Sequence, residues 1–362
     1  MENREGNMEK RRVMIVGGTR PEFIKLVSTI KALEQEEDIE LFVVHTGQHV
    51  DMVDDILDEF NIDIDYRLRA FGRDLTGMSA YLTKELTIVI KRVNPDLVIV
   101  QGDTLSAFLG AYTAFLAQVK ILHLEAGARS GDLHDPYPEE GMRLMIDSIS
   151  DYLGIQCVEH ASNLSNNDDD IEKPHRIIGN TSLDALKLLK LTKTKEKKIL
   201  LTMHRRENWK NIDKFINIVK TLANLYYDWK FVFVVHPNPL LCNKVINGLG
   251  TTKNVQIRTH MRYKAFLEEL ATSYMVISDS GGVSQEAPSV GTPVIMTRNV
   301  CENTELIKNK LAVLLGVNEK NIIEEVEHLI TDKIYYSSRK GNNPYGDGNA
   351  HIKIIELINE VL

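Results

Sequence analysis

Carboxylates recur at a few strand-like ends of this chain: Asp103 in "QGDT", Glu125 in "HLEAG", and Glu139 with Glu140 in "GDLHDPYPEEGMRLMID". Acids gathered after successive buried strands repel one another. At least one of them is therefore expected to carry a raised pKa, the condition that general acid–base chemistry needs. Taken singly, each has a plainer reading. Asp103 before Thr104 reads as an Asp helix cap, and the two glutamates after Pro138 read as negative charge at the start of a helix.

Cations and glycines supply the complementary chemistry. "TMHRRENW" groups His204, Arg205 and Arg206 with Glu207, and desolvating such cations together is unfavourable without an anion. In "SDSGGVSQEAPSVGTP", Asp279 and Ser280 end a strand, and Ser280, Gly281 and Gly282 open a helical segment whose free N–H groups suit a phosphate. Glu286 follows at a distance where a carboxylate could bind two ribose hydroxyls. Arg20 and Lys25 in "GGTRPEFIK" are further phosphate candidates, with Pro21 at the first helical position. Their plain alternatives are a carboxylate partner for Arg20 and solvent for Lys25. His236 in "VHPNP" reads equally as a structural histidine or as a ligand contact.

Other chemistries are disfavoured. The first strand is not followed by Gly-x-Gly-x-x-Gly, which argues against a nicotinamide dinucleotide. A metal at the acids is conceivable, but no His or Cys accompanies them at ligand spacing. The 43 Lys and Arg stand against 51 Asp and Glu, a formal charge of −8 with the basic residues scattered, which makes nucleic acid an unsuitable partner. Cys157, Cys242 and Cys301 lie far apart without a Cys-x-x-Cys pair, as expected for a reducing, cytoplasmic setting. No run of about 18 apolar residues is present, so no membrane partner is expected.

Such residues need a frame to hold them. Short apolar runs ("RVMIVGG", "LFVVHT", "DLVIVQGD", "KILHLEAG") alternate with segments of helical period, and after a Lys-rich connector, "KLTKTKEKK", the pattern restarts with "KILLTMH", "KFVFVVHP" and "YMVISDSGG". This pattern predicts an α/β chain of two Rossmann-like, doubly wound domains facing a central cleft. The boundaries expected are 1–179 for an N-terminal domain with the acids, 180–344 for a C-terminal nucleotide-binding domain, and 345–362 for a helix returning to the first domain. The first eight to ten residues read as a tail and "SNNDDDIEKP" as a solvated loop.

The set "GTRPEFIK", "HTGQH", "QGDTLSAFLGA", "HLEAGARSGDLHDPYPEE", "IGNTSLDAL", "HRREN", "HPNP", "DSGGVSQEAPSVGTPV" and "NPYGDGNA" resembles, in order from about residue 12 to the end, the non-hydrolysing UDP-N-acetylglucosamine 2-epimerases. The resemblance implies a glycosyltransferase-B-like fold, a homodimer, and interconversion of UDP-N-acetylglucosamine and UDP-N-acetylmannosamine through a 2-acetamidoglucal, with no cofactor and no metal. It also implies roles: Asp103, Glu125 and Glu139 as proton-handling acids, and His204 assisting at the diphosphate. Arg20, Lys25, Arg206 and Ser280-Gly281-Gly282 would hold phosphates, with the retained Arg143 as a further substrate contact, Glu286 on the ribose and Phe266 against the nucleotide. Gln48, Arg73, Arg205 and His236 match positions at which bacterial members bind a second, activating substrate molecule.

The chain also departs from that pattern. Met142 replaces an expected Asn, "GIQCV" an expected Phe-x-Pro-Thr-Glu, Asn303 an expected Arg, and Asp51 a usual Gln. The alternatives on the same fold are a 2-epimerase of another UDP-2-acetamido sugar, 6-deoxy or L-configured, and a UDP-sugar glycosyltransferase.

Overall fold

Apolar runs without polar alternation form strands buried on both faces, because parallel sheets covered by crossover helices have no wet side. In the computed structural model, which describes residues 10–165, 173–259, 261–301 and 304–362, these runs build two parallel sheets. The N-terminal tail through residue 9, the middle of the acidic loop and Asn303 lie outside the described residues. The first sheet contains β1 (Arg11–Gly17), β2 (Ile39–His45), β3 (Tyr66–Arg67), β4 (Leu97–Gln101), β5 (Lys120–Ala126), β6 (Tyr152–Ile155) and β7 (His175–Ile177), in the order β3-β2-β1-β4-β5-β6-β7. The second contains β8 (Lys198–Met203), β9 (Lys230–Val235), β10 (Val255–Arg258), β11 (Met275–Ser278), β12 (Val294–Met296) and β13 (Ala312–Leu314), in the order β10-β9-β8-β11-β12-β13.

Both sheets are doubly wound. Each reverses its direction of growth beside its first strand, between β1 and β4 and between β8 and β11, where ligands of such sheets normally bind.

The chain divides into two units, one running to Leu188 and resuming at Gly348–Leu362, the other spanning Leu189–Asp347. The terminal helix Ala350–Val361 belongs to the first unit because it and the helix Thr181–Leu188 both pack on the helix Arg20–Leu33. Asp184 Oδ1 accepts hydrogen bonds from His351 N (2.8 Å) and from the His351 ring (2.6 Å), which fixes the returning segment.

The first unit packs Met14, Val16, Val98 and Val100 of the sheet against Leu82, Leu86, Ala107 and Ala111 of its helices. The second packs Leu201, Phe231, Phe233 and Ile277 against Phe215, Val219 and Leu222. Each such fully buried Leu or Phe contributes about 1.5–3 kcal/mol, and together they hold the strand ends that carry the polar residues.

Two local expectations are corrected. Thr104, not Asp103, caps the helix Leu105–Leu116, its hydroxyl accepting from Ala107 N at 3.1 Å, so Asp103 is left for other contacts. Arg20 takes the first position of its helix behind the cap Thr19, and Pro21 the second.

Candidate active site

In the first unit, the turns after β1, β2 and β4, the end of β5 and the start of the helix Glu139–Ile149 line one cavity of about 380 Å³. Its walls include Glu22, Lys25, Gln48, His49, Asp103, Glu125, Glu139 and Met142. All three sequence-nominated acids of this unit are thus brought together. Gln48 and Lys25 join them, whereas Arg20 and Arg73 are not in this lining among the described residues. Arg20 is half-buried at its helix start, and Arg73 lies 4.0 Å over the Tyr81 ring while donating to the Arg69 carbonyl.

The acids do not crowd without compensation. Lys25 Nζ is ion-paired with Glu125 Oε2, and Gln101 Nε2 donates to the same oxygen at 2.6 Å. Burial alone would raise the Glu125 carboxyl, but Lys25 and Arg143 outweigh it and hold the group below its ordinary value. The expected raised acid is not Glu125. Arg143 bridges Asp103 and Glu140, at 2.7 Å to the latter, so the lysine nominated for phosphate and the retained arginine both serve as counter-ions. Glu139 differs: its Oε2 is buried without a hydrogen-bond partner among the described residues, and the residue lines the cavity.

Glu22 is not among the residues that the sequence nominates, yet it ties two turns together. Its Oε2 accepts from Gly18 N (3.2 Å), Thr19 N (2.7 Å) and Thr19 Oγ1 (2.6 Å), and its Oε1 from Thr104 Oγ1 (2.8 Å). Complete burial pushes its carboxyl up to about 7 against the lowering effect of those bonds. Gly18 permits this closeness: a Cβ there would meet Ser106 Oγ at 2.0 Å and Thr46 Oγ1 at 2.2 Å. A Glu at the third helical position after a Thr cap is a capping-box signal, legible in "TRPE". Glu140, read as first-turn support, also accepts from Ser130 N (3.0 Å) and Gly131 N (3.2 Å), which pins the preceding loop. Met142, where an amide was expected, presents an apolar side chain to the cavity.

In the second unit, the turns after β8 and β11 meet at Asp279. This buried carboxylate accepts from His204 N (2.8 Å), Arg205 N (3.1 Å) and Asn208 Nδ2 (3.0 Å), ordering the whole "HRREN" loop. The His204 and His236 rings meet edge-on with centroids 5.8 Å apart, and His236 lies 5.2 Å from Trp209, over which Arg206 sits at 6.0 Å. Burial and the neighbouring Arg206 lower the His236 pKa, so its ring is predominantly neutral at pH 7. His204, Arg206 and His236 therefore form one group, and Arg205 is tied to the same turn through its backbone N–H.

Ser280 caps the helix Gly281–Glu286, and Glu286 accepts from Tyr263 Oη at 2.7 Å one helix away, on the segment that also carries Phe266. Asp279, Asn208 and Tyr263 escape nomination because they hold neighbours in place, which spacing alone does not reveal. Among the described residues, no group of three or more His, Cys, Asp or Glu side chains could hold a metal ion, and no helix is long and apolar enough to cross a membrane.

Known proteins share this arrangement of elements. Residues 31–359 match the family model for UDP-N-acetylglucosamine 2-epimerase. The UDP-N-acetylglucosamine 2-epimerase of Campylobacter jejuni is 34% identical over 373 residues, covering 96% of this chain and 97% of that protein. The crystal structure of the Neisseria meningitidis UDP-GlcNAc 2-epimerase bound to UDP-GlcNAc superposes with a TM-score of 0.89 at 32% identity, covering 96% of this chain and 100% of that one. Acinetobacter baumannii MurG, at 12% identity and a TM-score of 0.62 over 97% of this chain and 99% of its own, shares the glycosyltransferase-B fold alone. With matching motifs, two doubly wound sheets and near-complete coverage by such relatives, the chain belongs to the UDP-N-acetylglucosamine 2-epimerase family.

Proposed function

We propose that this chain interconverts UDP-N-acetylglucosamine and UDP-N-acetylmannosamine, removing the C2 proton as the C1–O bond to UDP breaks and returning a proton to the other face as UDP adds back. The observation that carries this reading is the cavity of the first unit, where Asp103, Glu125 and Glu139 converge and Glu139 keeps a buried oxygen without a donor among the described residues. Lys25 keeps Glu125 ionised, the state in which a carboxylate accepts a proton. Arg143 orients Asp103. The C2–H is not beside a carbonyl, so stabilising the departing diphosphate must lower much of the barrier.

That stabilisation falls to His204, Arg206, Arg20 and the Ser280-Gly281-Gly282 turn, with Glu286 on the ribose and Phe266 against the base. Lys25, nominated for phosphate, is better placed as the partner of Glu125. Gln48, Arg205 and His236 remain candidates for a second substrate molecule; Arg73, held against Tyr81, is the weakest of that set.

Incubation with UDP-N-acetylglucosamine in D2O tests the reading. Deuterium at C2 and UDP-N-acetylmannosamine in the NMR spectrum are expected. A transferase would leave C2 untouched, and free sugar as the main product would indicate hydrolysis instead.

The reading extends to a homodimer in the cytoplasm. Tyr112, Phe115 and Leu116 are exposed on the helix Leu105–Leu116, which packs beside the helix Leu75–Val93 carrying exposed Ile88. A second copy is the occupant this apolar strip suits. Sedimentation at micromolar concentration should show twice the chain mass, and Phe115→Glu with Leu116→Lys should reduce it to one. No disulfide joins Cys157, Cys242 and Cys301, which supports a reducing compartment.

A further inference from the structure

The two turns that carry Asp103 and Glu125 are joined by a pair of residues beneath the cavity. His123 is wholly buried on β5, with its Nδ1 2.6 Å from Asp147 Oδ1 and its Nε2 2.7 Å from the Gly102 carbonyl oxygen. Asp147, also buried, reaches from the helix Glu139–Ile149; its Oδ2 accepts from Gly127 N at 3.2 Å and from Arg129 Nη1 at 2.7 Å. Gly102 precedes Asp103, and Gly127 follows Glu125 by two positions. The Gly102 N–H closes the arrangement by donating to the Leu124 carbonyl at 2.9 Å.

Glu125 needs such support. It sits in the left-handed region at φ 71°, where the pairing of β5 with β6 shifts register between Leu124 and Ala126. For a non-glycine residue that conformation is strained and persists only when the surroundings enforce it. Gly127, at φ +76°, could not carry a side chain, because a Cβ would meet the His160 carbonyl oxygen at 2.5 Å. The chain is thus strained at Glu125 and clamped on both sides of it.

Resting on the epimerase reading above, we infer that His123 and Asp147 are positioning residues for the reaction, the buried pair that sets the spacing between the Asp103 and Glu125 carboxylates by bonding Gly102 to Gly127. A carbonyl oxygen only accepts, so His123 Nε2 donates to Gly102 while Nδ1 meets Asp147 from the other edge of the ring. The imidazole carries its two nitrogens on separate atoms of a rigid ring, a span that Asn and Gln, with both donors on one atom, do not offer. Asp147 is suited to the complementary role, since its carboxyl, which burial alone would raise, is held below its ordinary value by His123 and Arg129. Neither residue lines the cavity, so neither needs to touch substrate.

The test compares wild type, His123→Gln, Asp147→Asn and the double variant, full chains throughout. The readouts are initial rates with UDP-N-acetylglucosamine, UDP affinity by calorimetry, and thermal melting. Each single variant is expected to lower kcat by about 10–100-fold, the range for small misplacement of reacting groups. KM and UDP affinity should stay within about threefold. The double variant should lose little more than the worse single one, because two halves of one device are not additive.

Folded variants with kcat within twofold of wild type, or a double variant whose losses multiply, would overturn the inference. Should either variant fail to fold, Arg129→Lys perturbs Asp147 more gently. It should lower kcat about 3–10-fold at constant KM, and an unchanged kcat there would count against the pair. Wild type that places no deuterium at C2 sinks the epimerase reading itself, an outcome distinct from active wild type with unaffected variants.

Discussion

Lys25 and Glu125 stand 100 positions apart in the chain and form an ion pair inside the cavity, each side chain about four-fifths buried. The pairing turns a group expected to bind phosphate into the electrostatic control of an acid. Removing one partner should therefore change proton chemistry. In Lys25→Met, Glu125 keeps its burial and loses the first of its compensating charges, so its pKa rises. A base with a higher pKa is ionised only at higher pH, and the acidic limb of the kcat/KM profile should move to higher pH. A pH–rate series on wild type and variant checks this; coincident limbs would count against Glu125 as the titrating base.

The three acids should separate from nucleotide binding. Asp103→Asn, Glu125→Gln and Glu139→Gln are each expected to cut turnover by about 10²–10⁴-fold, while UDP affinity measured by calorimetry changes little. Near-normal turnover in all three would remove the acid–base assignment.

Glu22 predicts a pH dependence of stability. Its pKa is raised in the folded chain to about 7 by burial, so folding favours the protonated form. The contribution is fully present below the unfolded value near 4.5 and is lost as pH rises through about 7. By linkage, wild type should lose about 3 kcal/mol relative to Glu22→Gln between those limits. Urea unfolding at pH 5 and pH 8 on both proteins measures the difference, and parallel slopes would refute it.

Asp279 should matter to the second unit without touching the acids. Asp279→Ala leaves His204 N, Arg205 N and Asn208 Nδ2 without their common acceptor. Hydrogen bonds to a charged group contribute about 1.5–3 kcal/mol each, part of which water restores. UDP affinity is expected to fall about tenfold or more, with the calorimetric transition of this unit lowered. Unchanged UDP affinity would show that the loop does not serve the nucleotide.

Much of this molecule is legible as text. Apolar runs alternating with helical periods predict two parallel-sheet domains, since a doubly covered strand has no polar face to interrupt it. Polar residues directly after those runs mark the strand ends, and "SDSGG" announces a cap that Ser280 does provide. Asp103, Glu125 and Glu139 are expected as neighbours, and all three line one cavity.

Other features are invisible for a physical reason. Lys25 and Glu125, Arg143 and Asp103, His123 and Asp147 are pairs made by the winding of separate strands, and their charges are matched only after burial removes water as the alternative partner. Sequence predicts crowding and a raised pKa among the clustered acids; the fold pairs Glu125 with Lys25 and holds it below its ordinary value, while burial raises Glu22 beside it. By itself, then, the sequence determined the strand and helix periods, the family motifs and which residue types stand at strand ends, because these depend on local spacing. Which acid meets which cation, which carboxylate oxygen is left without a donor and how the Asp103 and Glu125 turns are clamped was decided only in three dimensions, where long-range topology sets distance and burial sets the strength of each charge.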